Sequence, residues 1–135
     1  MNKVFEHHIK KKFPFLLKEK FVLAISGGID SVALAYLCHQ MKMNFELAHC
    51  NFKLRGLESD DDEAFIKKLG GNWSIPVHVK EFETLKYAKE YKMSVQMAAR
   101  SLRYSWFDDL AEGYKFKYIV TAHHADDNFE TFLIN

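Results

Sequence analysis

Residues 21–31 read Phe21-Val22-Leu23-Ala24-Ile25-Ser26-Gly27-Gly28-Ile29-Asp30-Ser31, and this stretch decides the fold of the 135-residue chain. Its first five residues form a short, continuous apolar run, which is typical of a strand buried on both faces of a parallel sheet. Two glycines follow at once, and residues 30–42 then space their apolar side chains as a helix does. The stretch predicts a strand, a tight turn and a helix in direct succession.

Strand-like and helix-like segments alternate along the rest of the chain. An amphipathic helix interrupted by Pro14 precedes the first strand, and a last helix is predicted after residue 122. Between these ends we predict strands at 45–49, 76–82 and 117–122 and helices at 59–71, 84–92 and 94–112. This alternation indicates an α/β fold, a doubly wound, Rossmann-like parallel sheet, for which we predict the strand order 3-2-1-4.

Local signals predict the limits of two helices. Ser59 with Asp62 resembles a capping box, and the acidic run 60–63 suits the positive end of a helix dipole. The Gly70-Gly71 pair is predicted to close that helix, and Gly113 to end the next long one. Because capping accounts for the acidic run, we assign it no metal.

Composition limits the classes of protein that this chain can represent. Hydrophobic residues make up 48% of it, enough for the core of one domain, and the net charge of +1 excludes nucleic-acid binding by bulk basic charge. Cys38 and Cys50 are too far apart for a CxxC site and fit a reducing compartment. No apolar stretch approaches a membrane span or a signal peptide, so we expect a cytoplasmic protein without membrane contact.

The glycine-rich turn predicts a phosphate site. Gly27 and Gly28 leave no Cβ in the way, so backbone N–H groups can converge on an anion beside a helix N-terminus. Ser26 and Ser31 add hydroxyl groups. Asp30 would repel phosphates unless a cation lay between them, so its presence implies Mg²⁺. The alternative is a helix cap with a tight turn, in which Asp30 and Ser31 only satisfy backbone groups.

A second cluster follows the fourth predicted strand. Ligands in doubly wound sheets bind beyond the carboxyl ends of the strands, where the strand order reverses. His123, His124, Asp126 and Asp127 come directly after that strand, and Glu130 would share a helical face with Asp127. For any one of these residues capping or surface charge is the simpler explanation, but together they indicate magnesium ligation or the binding of an amine.

Two further segments could reach the same sheet edge. In the long helix, Gln96, Arg100 and Arg103 form one stripe, and arginines can bind phosphate through two hydrogen bonds; surface salt bridges are the alternative. Opposite them we predict a core-facing stripe, made of Val95, Ala98, Ala99, Leu102, Trp106 and Leu110. The loop from His49 to Arg55 follows the second strand and could approach a ligand there.

Four segments together carry a resemblance to a known family: SGGIDS, AHCNFKLRGLESDDDE, SVQMAARSLRY and TAHHADDNFETFLIN. The first resembles the phosphate loop of the PP-loop ATP pyrophosphatases. All four, in this order, resemble the N-terminal catalytic domain of the tRNA(Ile)-lysidine synthase family. The resemblance implies a ligase that uses ATP to adenylate the first anticodon base, a cytidine, of tRNA(Ile) with a CAU anticodon. L-lysine then displaces AMP.

The resemblance also implies roles for individual residues. The loop residues would hold ATP, with Mg²⁺ on Asp30 and Asp127, while Arg100, Arg103 and His124 would contact the nucleotide or the transferring phosphate. Asp127 and Glu130, with Asp30, would receive the lysine ammonium. The residues expected to bind the nucleotide are Ser26, Gly27, Gly28, Ile29, Asp30, Ser31, His49 and His124. We also include a homodimer among the expectations.

The family continues beyond the last helix. We therefore expect residues 1–135 to form an incomplete PP-loop domain, the front piece of a longer protein and inactive by itself. Two alternatives stay open: a tRNA thiolation enzyme of the same superfamily, which often uses paired cysteines, and a non-catalytic adenine-nucleotide-binding module. Lysine-dependent pyrophosphate release would favour the tRNA(Ile)-lysidine synthase family over both alternatives.

Overall fold

The computed structural model describes residues 3–122 and 129–133. A 3-10 turn, Pro14–Leu17, follows the first helix and confirms the predicted interruption at Pro14. The helices are α1 (Lys3–Lys12), α2 (Ile29–Gln40), α3 (Leu57–Trp73), α4 (Thr84–Glu90) and α5 (Val95–Tyr114). The strands are β1 (Phe21–Ala24), β2 (Phe45–Asn51), β3 (Val77–Glu81), β4 (Tyr118–Ala122) and β5 (Phe129–Leu133). None of these helices is long and apolar enough to cross a membrane.

The five strands form one sheet in the order β3-β2-β1-β4-β5. The neighbouring strands β3, β2, β1 and β4 are parallel to one another. Their order in the sheet confirms the predicted order 3-2-1-4. The short β1 lies at the centre, where successive connections leave in opposite directions along the sheet. The carboxyl end of β1 is therefore the point at which a doubly wound sheet offers a crevice.

Helices cover both faces of β1, as the continuous apolar run predicts. Phe21 and Leu23 face a core shared with α1, α2 and α3, and neither side chain is exposed. Val22 faces the other way, into a second cluster with Phe107 and Leu110 of α5. This two-sided burial fixes β1 firmly and so fixes the position of the loop that leaves it.

The predicted last helix is wrong over residues 129–133. These residues form β5, which pairs antiparallel with β4 and matches Ala122 with Phe129 and Tyr118 with Leu133. The spacing of Asp127 and Glu130 is compatible with a helix, but pairing along β4 satisfies the backbone of this segment through contacts that the local sequence does not reveal. Asp127 itself lies outside the described residues.

The capping box predicted at the start of α3 is wrong, although the helix begins near Ser59 as predicted. The helix begins at Leu57 after Gly56, and no side chain caps it. Ser59 lies inside the helix, and its Oγ accepts a hydrogen bond from the Arg55 backbone N–H at 3.1 Å. Ser59 therefore holds the preceding turn against the helix instead of forming a capping box with Asp62.

Neither glycine signal ends its helix. The Gly70-Gly71 pair lies within α3, which runs to Trp73 and is followed by Ser74 in the left-handed conformation. Likewise Gly113 lies within α5, and Lys115 takes the left-handed position after it. Gly70 serves close packing, since a Cβ there would collide with Val77 Cγ2 of β3 and lie 3.2 Å from the Ile75 carbonyl oxygen.

Gly70→Ala is expected to lower the free energy of unfolding by about 2 kcal/mol, because α3 cannot keep its distance from β3 with a methyl group between them. Gly71→Ala is the matched control, since a Cβ there meets no atom within 4 Å. That variant should gain about 0.5–1 kcal/mol from helix propensity. Urea unfolding of both variants measures the difference, and equal stabilities would contradict the packing argument.

Candidate functional site

The turn after β1 has the backbone that its glycines predict. The backbone φ angle of Gly27 is +88°, a conformation that residues other than glycine rarely adopt. Gly28 returns to an extended conformation, with φ −73° and ψ 160°, and is the N-cap of α2. The chain therefore passes from a largely buried strand to a helix N-terminus through four residues, and the unpaired N–H groups of that terminus favour anions.

Two hydroxyl groups fasten this turn internally. Ser31 Oγ accepts from the Ser26 backbone N–H at 3.0 Å and donates to the Gly28 carbonyl oxygen at 3.1 Å. Ser26 Oγ lies 3.1 Å from Ser31 Oγ and accepts from the Gly28 N–H at 3.2 Å. Because Ser31 is buried and Ser26 exposed, Ser31 holds the loop in shape while Ser26 faces the solvent side.

Asp30 lies in the first turn of α2 and is half-buried. Within the described residues no group of three or more His, Cys, Asp or Glu side chains is arranged to hold a metal ion. Magnesium at phosphate sites needs only one or two carboxylates besides the phosphates, so Asp30 fits that mode. His124 and Asp127 lie outside the described residues, and the backbone of Glu130 belongs to β5 opposite Thr121.

A cavity of about 320 Å³ opens beside the loop. Its walls come from the loop, the carboxyl end of β2, the turn before α3, α3 itself and the middle of α5. The residues that line it include Ser26, His49, Cys50, Phe52, Arg55, Asp62 and Arg103. Its size is at the lower end of the range for small-molecule sites.

His49 joins β2 to the start of the loop. Its side chain is buried, and its Nδ1 lies 2.7 Å from the Ile25 carbonyl oxygen. Since a carbonyl can only accept, Nδ1 donates its proton in this hydrogen bond. His49 therefore lines the cavity and also positions the loop, and its contact with a ligand stays a prediction.

The two arginines of the predicted stripe lie in different environments. Arg103 lines the cavity, where its guanidinium lies 5.4 Å from the centre of the Phe52 ring. Arg100 is exposed and lies 4.9 Å from the centre of the Tyr104 ring, and it is not among the residues that line the cavity. Of these two arginines, the fold places only Arg103 beside the loop.

The core-facing stripe of α5 is confirmed in part. Ala98 and Leu110 are buried, whereas Val95 is 37% exposed and packs at the margin. Phe107, which the predicted stripe omitted, is 3% exposed and packs against Val22. The buried face of α5 is therefore rotated slightly from the predicted one.

The sequence matches the PP-loop domain family along residues 1–135, the whole chain. This chain belongs to the PP-loop family. Membership implies that the chain binds ATP. The SGGIDS turn, which resembles the phosphate loop of this family, is called the PP-loop here.

The chain is also similar to several curated proteins that carry the name tRNA(Ile)-lysidine synthase. The chain is 45% identical over 128 residues to the tRNA(Ile)-lysidine synthase of Bacteroides thetaiotaomicron, an alignment that covers 95% of this chain and 30% of that protein. It is 44% identical to the protein of the same name from Porphyromonas gingivalis, covering 94% of this chain and 28% of that protein. For the Clostridium acetobutylicum protein of that name the identity is 35% over 130 residues. The chain spans about 30% of the length of these relatives.

The two cysteines of this PP-loop chain are poor nucleophiles. Burial raises the pKa of both the Cys38 and the Cys50 thiol to about 12. For Cys50 the nearby Arg103 guanidinium favours the thiolate but does not outweigh burial. Both thiols therefore stay protonated near neutral pH.

Asp62 contacts the PP-loop, and sequence reasoning missed it. A Cβ on Gly27 would lie 2.8 Å from Asp62 Cγ, so the carboxyl group packs directly against the loop backbone. Arg55 Nη2 pairs with Asp62 Oδ2 at 2.8 Å. The acidic run had a sufficient local explanation at a helix N-terminus, and nothing in the spacing of residues 27 and 62 indicates that they touch.

Proposed function

We propose that this chain provides the ATP-binding part of a tRNA(Ile)-lysidine synthase. In the proposed reaction, the carbonyl oxygen of a cytidine attacks the α-phosphorus of ATP and pyrophosphate leaves. The cytidine is the first anticodon base of tRNA(Ile) with a CAU anticodon. The side-chain amine of L-lysine then attacks the activated carbon, loses a proton and displaces AMP.

One observation carries this proposal: a PP-loop with left-handed Gly27 lies where the central parallel strand ends. Such a loop can hold the β and γ phosphates on backbone N–H groups and so direct cleavage to the bond between the α and β phosphates. The names of the relatives support the choice of substrate.

The cavity beside the loop supports a place for the nucleoside. With the phosphates on the PP-loop, the base and ribose would enter the space lined by His49, Phe52 and Arg103. Arg103 would then neutralise charge on the transferring phosphate, and its planar fork suits that task. Arg100 and His124 remain part of the proposal as further nucleotide contacts.

Asp30 would hold magnesium together with the phosphates, and Asp127 is proposed as its second carboxylate. When bound, the ion would supply positive charge against the departing pyrophosphate. Asp127 and Glu130, with Asp30, are proposed to receive the lysine ammonium, since a cationic substrate requires acidic partners. We extend the proposal to residues 1–135 as one PP-loop domain in a cytoplasmic protein; a homodimer remains a prediction.

Incorporation of labelled lysine into tRNA tests the proposal. A full-length protein that contains this sequence is expected to attach lysine to tRNA with a CAU anticodon in the presence of ATP. The matched control is the same tRNA with uridine as the first anticodon base, which should accept none because it lacks the amino-substituted ring of cytidine. Absence of lysine from the CAU tRNA would contradict the proposed function.

Pyrophosphate release in the same mixture separates the alternatives. Release that depends on lysine supports the proposed ligase, and release that depends on a sulfur donor supports a thiolation enzyme. ATP binding without any release would indicate a nucleotide-binding module.

A further inference from the structure

We propose that Arg55 and Asp62 are a positioning pair for the PP-loop: Asp62 supports the backbone at Gly27, and Arg55 cancels the charge of Asp62. The loop then keeps its attraction for polyphosphate. This inference rests on the proposed function only for the binding of ATP.

The support at Gly27 is a direct packing contact. Asp62 Cγ, Cβ and Oδ1 would lie at 2.8, 3.0 and 3.1 Å from a Cβ on Gly27. The Asp62 side chain is 25% exposed, so it lies largely between the loop and the body of α3. Asp62 thus forms a wall behind the one residue whose positive φ shapes the PP-loop.

A carboxylate in this position has an electrostatic cost. A polyphosphate on the loop would lie close to Asp62, and like charges at such distances repel strongly when they are only partly in water. Arg55 Nη2 lies 2.8 Å from Asp62 Oδ2 and supplies the opposite charge. The two side chains line the same cavity as Ser26, so the pair is next to the space a ligand would enter.

A backbone hydrogen bond holds Arg55 in place, whereas its ion pair with Glu58 is solvent-exposed and weak. Its backbone N–H donates to Ser59 Oγ at 3.1 Å, and its Nη1 lies 3.0 Å from Glu58 Oε1. Glu58 is 65% exposed and contacts Arg55 without touching the loop. Glu58→Gln therefore offers a matched control, because it removes one carboxylate from Arg55 and leaves the contact with Gly27 intact.

The experiment measures ATP affinity by calorimetry in the full-length protein for Arg55→Gln, Asp62→Asn, their combination and Glu58→Gln. Arg55→Gln should weaken ATP binding about tenfold, because Asp62 is left uncompensated beside the phosphates. Asp62→Asn should bind ATP at least as well as the parent protein, since the amide keeps the packing without the charge. The double variant should recover the affinity of Asp62→Asn, and Glu58→Gln should leave affinity unchanged.

Three results would overturn the inference. A double variant as weak as Arg55→Gln would mean that Arg55 contacts the phosphates directly. Loss of affinity in Asp62→Asn would mean that the carboxylate itself is needed, as a cation ligand would be. Equal falls in melting temperature and affinity in both single variants, without recovery in the double variant, would mean a purely structural pair.

The affinity and lysine-incorporation experiments together distinguish a failure of the proposed function from a failure of the positioning pair. If the affinity pattern appears but no lysine enters tRNA, the ligase proposal fails and the positioning pair stands. If lysine is incorporated and the affinities do not follow the pattern, only the positioning pair fails. A parent protein that binds no ATP would contradict both.

Discussion

In a full-length protein with the proposed function, Asp30→Asn is expected to abolish turnover at saturating ATP and magnesium, with a loss of at least about 100-fold in the rate of pyrophosphate release. Asp30 lies in the first turn of α2, directly after the PP-loop. An acid at this point repels phosphates unless a cation joins them, so removing its charge should remove the joint site for magnesium. ATP itself should still bind, because the loop N–H groups are unchanged.

The matched control is Asp108→Asn, which removes one exposed carboxylate from α5 and leaves the loop intact. That variant should turn over at the parent rate. Pyrophosphate release with tRNA and lysine, measured against magnesium concentration, gives the comparison. An Asp30→Asn protein that still turns over would show that Asp30 has no part in holding the metal.

Gly27→Ala is expected to weaken ATP binding by about 10- to 100-fold, since a non-glycine residue at such a φ costs about 1–3 kcal/mol. Its φ is +88°, and the new methyl group would also displace the Asp62 carboxyl group. Both effects move the backbone N–H groups that hold the phosphates. The stability of the protein should fall as well, because the loop is tied to the buried Ser31.

Two alanine variants calibrate this result by calorimetry. Gly113→Ala adds a methyl group to α5 where no atom lies within 4 Å, so ATP affinity should not change. Gly28→Ala should have a smaller effect than Gly27→Ala, because its φ is ordinary and the nearest atom is Ser26 Oγ at 3.4 Å. Equal losses at Gly27 and Gly28 would argue against a special backbone requirement at Gly27.

The sequence predicts the centre of this fold well because the signals there are local and agree with one another. Residues 21–25 are apolar on both faces, the glycines follow immediately, and helical spacing begins in the next turn. Alternation of strands and helices then leaves few topologies, and the predicted order of the four parallel strands is confirmed.

The failures occur where a distant partner decides the structure. The segment 129–133 becomes a strand because β4 offers it a backbone to pair with. Gly70 remains inside α3 because it faces Val77, which comes later in the chain. In both cases the local sequence carried a plausible signal. The contact that overrides the signal comes from a distant part of the chain.

The candidate site shows the same division. The PP-loop residues were identified because a glycine-rich turn between strand and helix has a direct physical meaning. Asp62 was missed because its partner Gly27 is 35 positions away, while its role at a helix start had a simple explanation. Arg103 and Arg100 share one stripe of α5, yet only the contact with Phe52 shows which of them faces the cavity.

The two free thiols have a practical consequence for probing this site. Because burial raises the pKa of both thiols to about 12, maleimide dyes should react with Cys38 and Cys50 slowly near neutral pH. A cysteine introduced at an exposed position such as Lys86 would then take the label first. Single-site fluorescence labelling is therefore expected to need no prior removal of Cys38 or Cys50.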